Sequence, residues 1–219
     1  VTGVQTCALP IYLIFNSVDT SKFIESYNRQ ESGEFCADGW VNVLQVGRFS
    51  LIKNQLFTAQ IARELKRRGK KIRILCAGNN GNDYEAQVRA AIRDYGVEDH
   101  MLLLGVRKDI DVLARKSAAF LLPSLYEGMP LVMIEAQAAG LPCVTADTYS
   151  REVDFGIGYV QWLQLEQSAA KWADAVEQAV ALGRADKQTV IAAIERYGFD
   201  SRVFARKLCG LYEQAMERK

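Results

Sequence analysis

An open, doubly wound parallel α/β sheet with a helical C-terminal tail is the fold the sequence predicts, and three observations predict it. Short apolar runs alternate with helical periodicity from Val41 to Ala146, at the spacing that strand–helix–strand crossovers need. Gly69, Gly96 and Gly140 stand where successive helical patterns stop. The 219 residues are 49% hydrophobic, enough to bury a sizeable core. The organisation expected is a leader over 1–11, a connector over 12–40, the α/β domain over 41–165 and the helical tail over 166–219.

Each element follows from its local pattern. Val41–Val46 reads as a strand. Over 55–68, Leu56, Ala59, Ala62 and Leu65 share one helix face. Residues 71–77 form the next strand, and Asp83 caps a helix running to about Tyr95. Residues 101–104 are a short strand, Asp109 caps a short helix, and 118–122 is a strand. A helix over 131–139 leads through Gly140 into a strand over 143–146. The stretch 28–38 is polar and reads as a loop. After Gly158 the pattern turns helical, over 168–182, 187–197 and 201–218. The last of these sets Phe204, Leu208, Leu211, Tyr212 and Ala215 on one face, with Ser201 as its N-cap.

Composition excludes several function classes. Lys+Arg 27 against Asp+Glu 26 leaves a formal charge of +1, too little for a general electrostatic nucleic-acid binder. No apolar run approaches the roughly 20 residues of a membrane span, and no internal repeat is present. A single histidine, His100, rules out a histidine-based triad or a His-rich metal site. The chain begins with Val, and V-T-G-V-Q-T-C-A-L-P-I (1–11) resembles a translated sequencing adapter. Residues 1–11 are therefore expected to be non-biological, with the gene cut short upstream of Tyr12. Of the five cysteines, Cys7 then drops out and Cys36, Cys76, Cys143 and Cys209 remain. None forms a C-x-x-C pair, and Cys76 and Cys143 sit in apolar runs. Buried, reduced thiols in a cytoplasmic compartment are the expectation.

Open parallel sheets bind ligands outside the carboxyl ends of their strands. Two strand ends carry unusual chemistry. In V-G-R-F-S-L-I-K-N-Q (46–55), Gly47 lets the chain leave the strand tightly, and Arg48 and Lys53 precede a helix. Two cations beside free helix N–H groups make an anion site; alone they read rather as solvated loop cations. In S-L-Y-E-G-M-P-L-V-M-I-E-A-Q-A-A-G-L-P (124–142), Glu127 follows a buried strand and Pro130 suits the first helical position. The next N–H groups then face the strand-end crevice. Glu135 lies among Val132, Ile134, Ala136 and Ala139. A carboxylate there needs a partner or a ligand hydroxyl, unless it reaches outward to solvent. The D-x-D of Asp109 and Asp111 opens a helix and reads as a cap rather than a metal pair. Asp154-Phe-Gly156 lacks the other kinase motifs, and Gly78-Asn-Asn-Gly81 lacks the G-K-[ST] of a phosphate loop.

The E-x7-E pair of Glu127 and Glu135 within 124–142 resembles the donor-site motif of family 4 glycosyltransferases, retaining enzymes of the GT-B fold. Residues 46–55 resemble the same family's diphosphate motif. F-N-S-V-D-T-S-K-F (15–23) is similar to its N-G-x-D segment, with Ser17 in place of the glycine. Gly78-Asn-Asn-Gly81 stands where the family often has G-x-G.

The resemblance implies the second, Rossmann-like half of the GT-B fold, over 41–165, and a nucleotide-sugar donor. Catalytic roles would fall to Arg48, Lys53 and Glu127. Arg48 and Lys53 would hold the diphosphate, and Glu135 the ribose. Glu127 would contact the sugar, with Gly128, Met129, Pro130 and Leu131 closing around sugar and phosphate by their backbone. Gly47 would shape the loop, and Gly78, Val106 and Arg107 would line the base.

No metal or other cofactor is implied, because the two cations take the electrostatic role a metal plays elsewhere. The acceptor, a glycan or lipid-linked sugar, would bind through an N-terminal domain outside this sequence, and so would any peripheral membrane contact. Donor binding without turnover is then expected of this chain alone. The C-terminal helix would pack back on that domain and expose part of its apolar face here. An epimerase of the same fold and a non-catalytic binding module are the alternative readings.

Overall fold

The computed structural model describes residues 17–25, 27, 32–36, 39–79 and 81–217. The expected leader, Phe15 and Asn16 of the 15–23 motif, and Asn80 lie outside them. Six strands form one sheet: β1 (Val41–Val46), β2 (Ile72–Ala77), β3 (Met101–Gly105), β4 (Ala119–Leu122), β5 (Cys143–Ala146) and β6 (Val160–Leu163). Every pairing is parallel and the order is β3-β2-β1-β4-β5-β6. The strand order reverses direction between β1 and β4, where Val43 pairs with Ala119. That is the switch point at which a doubly wound sheet opens a crevice at its carboxyl edge.

The helices are α1 (Ser21–Glu25), α2 (Gln55–Arg67), α3 (Asp83–Tyr95), α4 (Ile110–Arg115), α5 (Leu131–Ala138), α6 (Ala169–Leu182), α7 (Lys187–Tyr197) and α8 (Ser201–Glu217). Side chains alternate across the sheet with period two. Leu44, Leu75, Phe120 and Cys143 face α1, α4, α5 and α7. Val43, Ile74, Leu121 and Val144 face α2, α3 and α6. Both faces are covered, so β2, β4 and β5 are buried along their whole length, as parallel strands require. Cys76 and Cys143 are buried in these strands without a disulfide, and burial pushes both thiols up.

Several expectations need correcting. Residues after Gly158 do not turn helical at once. Val160–Leu163 is a strand, β6, paired Cys143↔Val160 along the sheet edge. Four half-buried residues on an edge carry too little pattern to separate a strand from a helix lead-in. The connector contains a helical turn, α1, whose Phe23 enters the core. Asn82, not Asp83, caps α3, accepting from the Glu85 amide at 3.0 Å. Pro130 occupies the N-cap of α5, one position before the expected site. Asp109 sits at the N-cap of α4 but makes no cap bond, because Arg107 holds it. Ser201 is the first helical residue of α8, and Asp200 accepts from the Arg202 amide at 3.0 Å instead. Ser168 and Gly96 terminate their helices as expected, and α7 has the expected bounds.

Two polar residues tie distant segments together. The Arg184 guanidinium, on the α6–α7 link, donates to the carbonyls of Ala114, Arg115 and Ser117 at 3.0, 2.9 and 2.9 Å and to that of Ala139. One side chain thereby satisfies the orphan carbonyls at the ends of both α4 and α5. Gln137 of α5 donates to Val153 O at 2.7 Å and accepts from the Phe155 amide at 2.8 Å, fixing the loop after β5. By contrast, among the described side chains of α8 none enters either core, and Tyr212 and Met216 are exposed. No helix among the described residues is long and apolar enough to cross a membrane.

Candidate functional site

The carboxyl ends of β1, β2 and β3 lie backbone on backbone. The Gly47 amide donates to Ala77 O at 2.9 Å, and the Gly78 amide to Gly105 O at 2.8 Å. Gly78 has φ 148°, and a Cβ there would stand 2.0 Å from the Gly47 carbonyl oxygen. Gly47 has φ 155°, and a Cβ would stand 3.0 Å from Lys53 Cε. Glycine is thus required twice, once for close approach of two strand ends and once to let the Lys53 side chain pass.

Beyond Gly47 the chain makes a short 3-10 turn, Leu51–Lys53, and enters α2 through Asn54 at φ 57°. Buried glutamines fix this loop from both sides. Gln55 donates to Arg48 O and Gln45 to Lys53 O, each at 3.1 Å. The loop is also joined to the exit of β4. Asn54 donates to Pro123 O at 3.0 Å, and the Leu125 amide to Ile52 O at 2.7 Å. The two motif-bearing loops are therefore clasped across the switch point.

Their side chains meet there. Lys53 Nζ lies 2.6 Å from Glu127 Oε1, with the two side chains only 20% and 11% exposed. Such a pair is screened less than one on the surface. The structure does not bring Arg48 or Glu135 into contact with them. Arg48 is exposed, and its guanidinium pairs with no described residue.

After Glu127 the chain turns into α5. Pro130 brings no N–H, no side chain caps the helix, and its first turn holds no acidic residue. Among the described residues the amides of Gly128, Met129, Leu131 and Val132 find no acceptor. A helix start of this kind, beside a lysine, is arranged for an anion. One turn further, Glu135 is half-buried and borders a narrow recess lined by Leu44, Val46, Ile110 and Phe120. It has no hydrogen-bond or ion-pair partner among the described residues, and burial raises its carboxyl above the usual range.

Gly78, Val106 and Arg107 follow β2 and β3 on the same edge of the sheet. Val106 is exposed. Arg107 is occupied within its own neighbourhood, bidentate to Asp109 at 2.8 and 2.7 Å and 3.3 Å from Glu34. What that loop offers a ligand is backbone, the Val106 side chain and the exposed Lys108, while Arg107 is taken up by its neighbours.

The structure adds residues that the motifs do not contain. Tyr149 and Thr145 share a hydrogen bond beside the exit of β4, and Thr148 donates to Ser124 O at 2.9 Å. Burial pushes the Tyr149 phenol up, and the nearby Glu127 charge adds to it. Only the placement of β5 beside β4 brings these residues to the site, and nothing local in the sequence marks them. Asn54 is different: an asparagine just before a helix is a legible signal for a left-handed entry residue.

Comparisons with known proteins show the family and the fold. EpsF of Bacillus subtilis (strain 168), which is named as a glycosyltransferase, is 30% identical over 211 residues, or 95% of this chain and 54% of EpsF. The UDP-Gal:alpha-D-GlcNAc-diphosphoundecaprenol alpha-1,3-galactosyltransferase of Escherichia coli is 33% identical over 147 residues, 64% of this chain and 37% of the relative. The chain thus spans about half the length of EpsF and less of the second relative. The crystal structure of Anabaena HepE in complex with UDP and glucose superposes with a TM-score of 0.72 at 17% identity, over 91% of this chain and 56% of that one, a likeness of fold. The family model described as Glycosyl transferases group 1 matches residues 37–196, from just before β1 to the end of α7, and the chain belongs to that family.

Proposed function

We propose that this chain is the donor-binding half of a retaining, family 4 glycosyltransferase that moves a sugar from a nucleotide donor to a glycan or lipid-linked acceptor in polysaccharide synthesis. The observation that carries this reading is the convergence of two loops on the switch point. They pair Lys53 with Glu127 at the carboxyl edge of the sheet, the edge from which Arg48 and the start of α5 also follow. Arg48, Lys53 and a helix start can hold a diphosphate and offset the charge that grows on it as the glycosidic bond breaks.

On the same reading Glu135 accepts hydrogen bonds from the ribose hydroxyls, which give its half-buried carboxylate the partners it otherwise lacks. Glu127 accepts from hydroxyls of the donor sugar, and the backbone of Gly128–Leu131 closes around sugar and phosphate. Gly78, Val106 and Arg107 border the base. Retention follows if the diphosphate leaves and the acceptor attacks on one face, so Glu127 is not assigned as a nucleophile. The relatives' names support an acceptor in surface-polysaccharide or lipid-linked sugar synthesis. The acceptor, and any peripheral contact with the cytoplasmic face of a membrane, belong to the half of the enzyme outside this sequence. The chain alone is assigned donor binding without turnover.

Calorimetry on the 219-residue chain tests the reading. UDP-glucose, GDP-mannose and ADP-glucose serve as probes. One of them is expected to bind, and Lys53→Met to weaken it by about tenfold or more, the usual loss for a charge-assisted contact. If none of the three binds at millimolar concentration, the donor-site reading is wrong.

A further inference from the structure

We propose that the Lys53–Glu127 ion pair is an exchange element, which makes the site take a nucleoside diphosphate sugar in preference to the bare nucleoside diphosphate. The inference rests on the donor-site reading and deepens it. In the structure the Lys53 ammonium is held by Glu127 at 2.6 Å, and both side chains are largely out of water. Arg48 is the one cation of the two loops with no described partner. A diphosphate therefore does not meet two free cations. It meets one, together with a neutralised pair.

Recruiting Lys53 sets a phosphate oxygen against Glu127 Oε1 for the same ammonium and brings two negative groups together. Glu127 cannot simply turn to solvent, because its side chain is 89% covered. A carboxylate left in such a place without its cation loses attraction and hydration together. A bare diphosphate carries no donor that could replace Lys53. A sugar on the terminal phosphate does: its hydroxyls can donate to Glu127 while the ammonium turns to phosphate. One charge-assisted contact is then exchanged for others instead of being lost. When the sugar departs with the acceptor, Glu127 loses those donors, returns to Lys53 and displaces the spent diphosphate. The same pair would thus select the donor and hasten release of the product.

A double-mutant cycle on the 219-residue chain tests this, with Glu127→Gln, Lys53→Met and both together. The probes are inorganic pyrophosphate, and UDP, GDP and ADP each against UDP-glucose, GDP-mannose and ADP-glucose. Glu127→Gln is expected to tighten pyrophosphate and the bare nucleotide by about fivefold, the scale of a partly buried ion pair set free. It is also expected to erase the preference for the sugar-bearing form. In the Lys53→Met background the same substitution should give less than half of that gain on a logarithmic scale. An unchanged or weaker affinity in Glu127→Gln overturns the proposal. So does an equal gain in both backgrounds, which would mean plain repulsion between Glu127 and phosphate. If the unsubstituted chain binds no probe, the donor-site reading itself fails, and this proposal with it.

A measurement on the unsubstituted chain guards against a variant that does not fold. The carboxyl carbon resonance of Glu127 should move on adding the bare nucleotide and move to a different position with its sugar conjugate. A resonance unmoved by either, while the nucleotide binds, overturns the exchange.

Discussion

Thr20 donates its hydroxyl to Asp200 at 2.6 Å, although 180 positions separate the two in the chain. Around this contact Val18 and Asp200 form a parallel bridge, with Val18 N to Phe199 O at 3.0 Å and Ser201 N to Val18 O at 2.9 Å. The connector before β1 is thus stitched to the junction of α7 and α8. Arg202 adds two further bonds to the same carboxylate, at 3.1 and 3.3 Å.

The Asp200 cluster predicts acid sensitivity. Burial alone would raise this carboxyl, but the hydrogen bonds from Arg202 and Thr20 outweigh it and bring it to about 2, from an ordinary 3.8. The folded form therefore favours the ionised group. Its contribution, on the order of 2 kcal/mol, is complete above the unfolded value and is lost as pH falls from about 4 towards 2. Asp200→Asn should lower the melting temperature at pH 7 and leave it nearly unchanged at pH 2. Equal losses at both pH values would refute the assignment.

Arg184→Met should cost about 2–4 kcal/mol, because it strands the part-buried carbonyls of Ala114, Arg115, Ser117 and Ala139 without their shared donor. Lys in the same place can bond some of the four and should recover part of the loss. Urea unfolding of the two variants provides the check, read as a shift in midpoint at constant slope.

Gly78→Ala should be more damaging than a typical surface change, by about 2 kcal/mol or more, since the added methyl would meet the Gly47 carbonyl and the backbone cannot yield cheaply. Gly81→Ala, a few residues on at φ 57° with open space around its Cβ, is the milder comparison, since it meets no clash and stays in the left-handed region. Thermal unfolding should rank Gly78→Ala well below Gly81→Ala.

Glu135 is expected to separate stability from binding. Its carboxyl is raised by burial, so the folded chain favours the protonated form, and stability is eroded as pH rises through the folded value. Glu135→Gln should therefore raise the melting temperature at pH 8 and have little effect at pH 4. It should also weaken the bound nucleotide sugar by about tenfold, the scale of charged hydrogen bonds to hydroxyls. A variant that is both less stable at pH 8 and equal in affinity would contradict both halves of the argument.

The sheet was legible because a strand buried on both faces is apolar along most of its length, as β4 is throughout and β2 is apart from Arg73. β6 escaped because an edge strand is buried on neither face fully and leaves only Trp162 and Leu163 as strong signals. The two loops of the candidate site were legible as Arg48, Lys53, Glu127 and Glu135. Their separate fates were not. Whether Lys53 faces Glu127 or open solvent depends on the hydrogen bonds of Asn54 and Leu125 to the other loop, contacts between segments some 70 positions apart. Arg107 shows the same limit: its pairing with Asp109 two residues on could be anticipated, while Glu34 reaches it only through the fold.

Arg184 has a consequence that reaches the opposite end of α5. The helix is clamped at its C-terminus by a positive group and left unclamped at its N-terminus, which opens on the crevice. Its dipole is thus complemented at one pole only. The anchored pole fixes how far the helix slides along its own axis, and so how deeply the Leu131 and Val132 amides protrude into the crevice. Arg184 works on the site as a depth stop does on a drill, touching nothing that the tip touches.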